Sequence, residues 1–223
     1  MRSISGLSKS EWDRAGALAD AADDPGNSTA VRGFEWSHPL LGHVNVWFTN
    51  GFTDLGGSGN MGGLYNWIVN NGGVARFNHP GREIARFGNF AFTAAARAAV
   101  VGLEMFNRGD DYLFDGWSEG RTSALNACLN AGWRTGISGV PDEHGTDWGF
   151  PEGKGRTGLW VADVIDTVAN QVVRFTVPLD AALGDWVVLR VSDPTLPDPS
   201  PGPNGHPCND FGLAYTSPWW LRP

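Results

Sequence analysis

A chain of 223 residues, 41% of them hydrophobic, is long enough to bury one sizeable core and too short for more than two small ones. A formal net charge of −8 and a pI near 5.0 exclude a nucleic-acid backbone as a resting partner, because phosphate binding needs a basic surface. No apolar run is long enough to span a bilayer, and residues 1–6 lack the apolar stretch of a signal peptide. The expectation is a soluble chain with no membrane partner, cytoplasmic by default.

Ser8 and Glu11 stand at capping-box spacing, and Trp12, Ala15, Ala19 and Ala22 recur at helical intervals up to the turn Asp23-Asp24-Pro25-Gly26. This predicts a helix between Ser8 and Asp23. Residues 29–35 read as a strand ending on the acid Glu35. Residues 43–49 read as a second, with Val44, Val46 and Phe48 alternating against Asn45 and Trp47. Glu35 and His43, at the ends of these strands, are placed to meet. The Gly-rich stretch 55–63 has the composition of a lid or a helix entry and lacks the Lys-Ser/Thr ending of a phosphate loop. It leads into a predicted helix over 64–70.

Residues 74–77 form a short buried strand that delivers Asn78-His79-Pro80, and 99–106 a second that delivers Glu104 and Asn107. A helix over about 118–131 precedes a strand at 135–140 that delivers Asp142 and His144. Residues 158–177 supply a further strand and a short helix, and 186–191 and 212–220 a closing pair. The intervening stretch 193–207 is too rich in proline for regular structure, and His206 within it is a solvated loop residue. Cys128 and Cys208 form neither a disulfide framework nor a thiolate zinc site.

Histidine is scarce, yet four of the five copies sit in turn-like contexts: His38, His43, His79 and His144. Imidazole together with carboxylate suits Zn²⁺, Mn²⁺ or Fe²⁺, and a strand mouth leaves coordination positions open to substrate. Any one of these histidines, taken alone, is an ordinary surface or core residue; the repeated strand-then-His arrangement is what points to a site. Alternating strands and helices with polar residues at each strand's far end are the sequence form of an α/β barrel or layered α/β fold. Arg76, Arg82 and Arg86, close in sequence to His79, are placed to hold an anionic substrate group by paired hydrogen bonds. No Gly-x-Ser-x-Gly elbow is present, which argues against a serine hydrolase.

In order, Gly33-Phe34-Glu35-Trp36, Gly42-His43-Val44-Asn45-Val46, Phe77-Asn78-His79-Pro80-Gly81, Gly102 to Asn107 and Gly139 to His144 resemble the PHP superfamily of metal-dependent phosphoesterases. Within it they look most like the CehA/McbA-type metallohydrolase branch, over roughly residues 8–162. The resemblance implies a distorted (β/α)7-type barrel with two or more divalent cations (Zn, Mn or Fe) at the strand ends. Glu35 would be the bridging carboxylate, His43 and His79 metal ligands with His38 as a substitute for His43, and Asp142 and His144 the closing pair. Glu104 and Asn107 would support the ligands or face substrate, and the catalytic group would be Glu35, His79, Asp142 and His144.

Members of that superfamily open on a His-x-His strand that has no counterpart before Ser8. The expectation is therefore a barrel domain over 1–177, incomplete at its N-terminus, with a β-rich extension over 178–223. The exposed strand edges would be covered by self-association or by a partner chain. The expected function is hydrolysis of a phosphoester, ester or carbamate of a small, often anionic, substrate. The alternative is an inactive remnant that binds a ligand, with Trp117, Trp133 and Trp148 stacking on a sugar.

Overall fold

The computed structural model describes residues 6–107, 110–111, 123–142, 144, 157, 176–197 and 211–221. Helix α1 (Lys9–Ala22) begins at the capping box: the Ser8 side chain accepts from the Glu11 amide, and the Glu11 carboxylate accepts from Ser8. Strand β1 (Gly33–His38) starts later than the sequence suggests and runs on past Glu35. The preceding residues are held otherwise: the Ala30 amide donates to Asp23 and the Arg32 guanidinium lies 3.9 Å above the Trp12 ring. Strand β2 (Gly42–Trp47), helix α2 (Met61–Asn70, capped by the Asn60 side chain) and strand β3 (Val74–Asn78) follow. The Gly-rich stretch before α2 is thus a helix entry.

Next come α3 (Arg86–Phe90), β4 (Val100–Asn107), the two-residue β5 (Asp110–Asp111), α4 (Ala124–Asn130) and β6 (Gly136–Val140). α3 is a helical turn in name only, because φ is positive at every residue from Arg86 to Phe90. Left-handed turns of non-glycine residues cost about 1–2 kcal/mol per residue, so surrounding structure must hold this one. It is tied to the β1–β2 turn, with the Ala85 amide donating to the Leu40 carbonyl and the Phe87 amide to that of Leu41. It is anchored by Phe87 and Phe90, both fully buried.

The fold is mixed α/β. Strands β1 to β4 lie in order, β1–β2 and β2–β3 antiparallel and β3–β4 parallel. β6 pairs parallel with β4, and β5 adds antiparallel to the end of β4. Among the described residues the sheet does not close on itself, and β1 pairs only with β2. No helix among these residues is long and apolar enough to cross a membrane.

Alternation gives this sheet two unlike faces. Phe34, Trp36, Val44, Val46, Ala75, Phe77, Leu103 and Met105 are buried in one cluster with Trp12 of α1, Leu64 and Ile68 of α2 and Leu125 and Leu129 of α4. Its centre is aromatic, with Phe77 within 5.5 Å, centroid to centroid, of Phe87, Phe90 and Trp133. Trp133 is fully buried and its indole donates to the Phe90 carbonyl, so it is a core residue and not a ligand-stacking surface. Trp117 and Trp148 lie outside the described residues. The opposite face carries Glu35, Ser37, His43, Asn45, Arg76, Asn78, Glu104 and Ser138, which the register sets side by side.

At the C-terminal end, β8 (Arg190–Pro197) pairs with β9 (Phe211–Tyr215), and β7 (Trp186–Val187) with β10 (Trp219–Trp220). Residues 193–197, expected to be irregular because of their prolines, belong to β8. A two-stranded sheet tolerates this because the register shifts between Asp193 and Pro197, and an edge or bulge needs no donor from proline. The expected elements over 158–175, along with His206 and Cys208, lie outside the described residues.

Candidate metal centre

Strands β3, β4 and β6 run parallel, so their carboxyl ends share one rim of the sheet, and the antiparallel β2 brings His43 to that rim opposite Asn78. Glu35 sits in mid-strand, opposite Asn45 and diagonal to His43. The two side chains meet there, His43 Nδ1 lying 2.7 Å from Glu35 Oε1. The His79 ring stands edge-on to that of His43 at 4.8 Å between centroids. Glu35, His43 and His79 each offer a ligand atom, all within 4.8 Å of one another.

Supporting contacts fix the three. Glu35 accepts from Ser37 Oγ at 3.2 Å and from Asn78 Nδ2 at 3.0 Å. His79 has φ 26°, an unusual value for a residue with a side chain, and Glu104 holds it there by accepting its backbone amide at 2.7 Å. Glu104 is itself 2% exposed and is satisfied by Arg76 and by Asn107 Nδ2 as well, as a buried carboxylate must be. Arg76 is engaged throughout: its guanidinium also reaches Asn78 and Ser138, and its aliphatic stem lies over Gly102, where a Cβ would stand 2.8 Å from Arg76 Cγ.

Electrostatics favour an ionised pair at the mouth. Burial raises the Glu35 pKa, but the hydrogen bond and charge of His43, the charge of His79 and the Ser37 hydroxyl together bring it below 4.5. Burial lowers that of His43, yet the Glu35 hydrogen bond and the charges of Glu35 and Glu83 lift it above 6.5 against the opposing charge of Arg82.

The other expected residues fall around this group. Arg82 donates to Asp142 Oδ2 at 2.8 Å and to Asn107 Oδ1. Asp142, in the left-handed region at φ 51°, accepts at its backbone oxygen a contact of 2.8 Å from His144 Nδ1, whose side chain is 74% exposed. Neither Asp142 nor His144 belongs to the three-residue ligand group. Arg86 is buried, its guanidinium 5.5 Å from the Phe90 ring centre. His38 does not substitute for His43: its Nδ1 accepts the amides of Leu40 and Leu41 and closes the β1–β2 turn.

Glu83, which like Asp142 and His144 lies outside the three-residue ligand group, is the neighbour that sequence reading missed. Its Oε1 lies 3.6 Å from His43 Nε2 and its Oε2 3.6 Å from His79 Nδ1. The signal available was its position four residues after His79 across the Pro80-Gly81 turn. His79 Nδ1 and Glu83 Oε2 are both buried without a hydrogen-bond partner. Orphaned buried atoms of this kind beside imidazole and carboxylate donors fit a divalent cation such as Zn²⁺, Mn²⁺ or Fe²⁺. Comparison of the chain with protein-family models, with curated proteins and with solved structures finds no match.

Proposed function

We propose that this chain is a metal-dependent hydrolase of the PHP type, acting on a phosphoester or a related ester or carbamate. The observation that supports it is the convergence of Glu35, His43 and His79 at the carboxyl rim of the parallel strands. In the finer reading, the open sheet is part of a distorted PHP barrel whose polar face is the inner wall, and Asp142 and His144 extend the ligand set. A divalent cation bound there supplies an activated water and polarises a phosphoryl or carbonyl oxygen.

The chain's own groups do the rest. Glu35, His43 and His79 hold the cation, Ser37 and Asn78 orient Glu35, and Glu104 with Arg76 and Asn107 fixes the His79 backbone. Support of this kind is worth about 10–100-fold in metal affinity or activity. Arg82, held by Asp142 and Asn107, would pair with an anionic substrate oxygen.

The test is metal analysis of unchelated protein by plasma mass spectrometry, followed by a screen of phosphoester, ester and carbamate substrates. At least one equivalent of Zn, Mn or Fe is expected, with hydrolysis reduced on the order of 100-fold or more in His79→Ala. A chain that carries no cation, or a His79→Ala variant with unaltered metal content and turnover, would remove this reading. The remnant alternative would then be left.

A further inference from the structure

We propose that Glu83 is a ligand at this cation site, facing His79 Nδ1 and the Nε2 of His43, the ring nitrogen that Glu35 does not bond; the inference rests on the metal reading above. Glu83 is not among the residues that the motif resemblance marks. Its carboxylate faces both rings, at 3.6 Å from His43 Nε2 and 3.6 Å from His79 Nδ1. That spacing is too long for a hydrogen bond. It suits two donors of one ion, because bonds of about 2.0–2.2 Å to each hold their atoms no more than about 4.2 Å apart.

Both atoms across the gap between His79 and Glu83 lack a partner. His79 is 3% exposed and its Nδ1 has no hydrogen-bond partner, and Glu83 Oε2, also buried, has none. Buried polar atoms of native proteins are almost always paired, so two that face each other unpaired mark a missing partner that bonds both. A divalent cation does this, and the Glu35 and Glu83 carboxylates together balance its charge.

The backbone is built to hold Glu83 there. The Arg82 amide donates to the His79 carbonyl and the Arg86 amide to that of Glu83, each at 3.1 Å. The left-handed turn that follows is fastened to Leu40 and Leu41, directly before the strand that carries His43. Two segments distant in sequence are thereby locked together at the point where their side chains converge. Backbone of this strained kind collects at ligand clamps.

Chelator-stripped wild type, Glu83→Gln, Glu83→Asp and His79→Ala would be titrated with Zn²⁺ in competition with an indicator, and with Co²⁺ followed by its visible absorption. We expect one equivalent bound by wild type. In Glu83→Gln we expect a loss of affinity beyond the ~10–100-fold that a supporting contact is worth, and a changed Co²⁺ spectrum, with far-ultraviolet circular dichroism unaltered. Wild-type affinity and spectrum in Glu83→Gln, with binding lost in His79→Ala, would overturn the role of Glu83 and leave the metal centre standing. No binding by wild type would remove both. Should Glu83→Gln fail to fold, Glu83→Asp decides: retracting the carboxylate by one methylene must weaken binding and alter the spectrum, and an unchanged variant overturns the proposal.

Discussion

At the scale of single residues, the Glu35–His43 pair ties stability to pH. The folded pKa of His43 lies above 6.5, so its contribution is complete below 6.5 and is lost as pH rises through the folded value. That of Glu35 lies below 4.5, so its contribution is complete above 4.5 and is lost as pH falls through the folded value. For metal-free protein the pair therefore stabilises most between about 4.5 and 6.5. Thermal melts of chelator-treated protein across pH should show the midpoint falling on both sides of that window, and His43→Gln should flatten the alkaline limb. An identical pH profile for His43→Gln would show that the pair does not contribute. Glu35, His43 and His79 were legible as candidates because each ends or interrupts an apolar run. The role of Arg76 was not: expected to hold substrate, it is engaged by Asn78, Ser138 and Glu104 through a parallel pairing between β3 and β4 that the local pattern does not encode.

At the scale of elements, the turn between β1 and β2 has no room for a side chain at its glycine. Gly42 has φ 123°, and a Cβ there would stand 2.5 Å from Phe87 Cε1. Gly42→Ala is expected to destabilise by more than about 1 kcal/mol, combining a left-handed backbone with an aromatic ring that cannot retreat. Urea unfolding would measure it; a change under about 0.5 kcal/mol would mean that the turn adapts freely. The α1 cap and the alternation of Val44 and Val46 were readable because they are local; Phe48, expected to continue that alternation, instead follows the strand at positive φ and is exposed. The course of residues 82–90 was not, because left-handed dihedrals at Arg86, Phe87, Asn89 and Phe90 leave no periodic signature. That is why Glu83 drew no notice in the sequence. Strand β8 was misread for the opposite reason: proline content is local, whereas the tolerance of a two-stranded edge is not.

At the scale of the whole molecule, the α/β character follows from the order of strands and helices, while closure of the sheet depends on pairings between distant segments. Strand β1, bonded on one side only among the described residues, presents an edge that invites pairing with another chain. We expect light scattering coupled to size-exclusion chromatography to report a mass above the 24.0 kDa of one chain. A thermostable species at the mass of one chain would sink that expectation.

The two-faced sheet carries one more implication. A strand displaced by a single residue exchanges its faces, which would drive Glu35 and His43 into the aromatic cluster and turn Phe34 and Val44 toward water. An error in pairing that scattered the polar face would therefore also forfeit the core. Folding checks the alignment of the polar wall without any separate device, because the alternation that makes the molecule hold together is the same alternation that sets those side chains on one face.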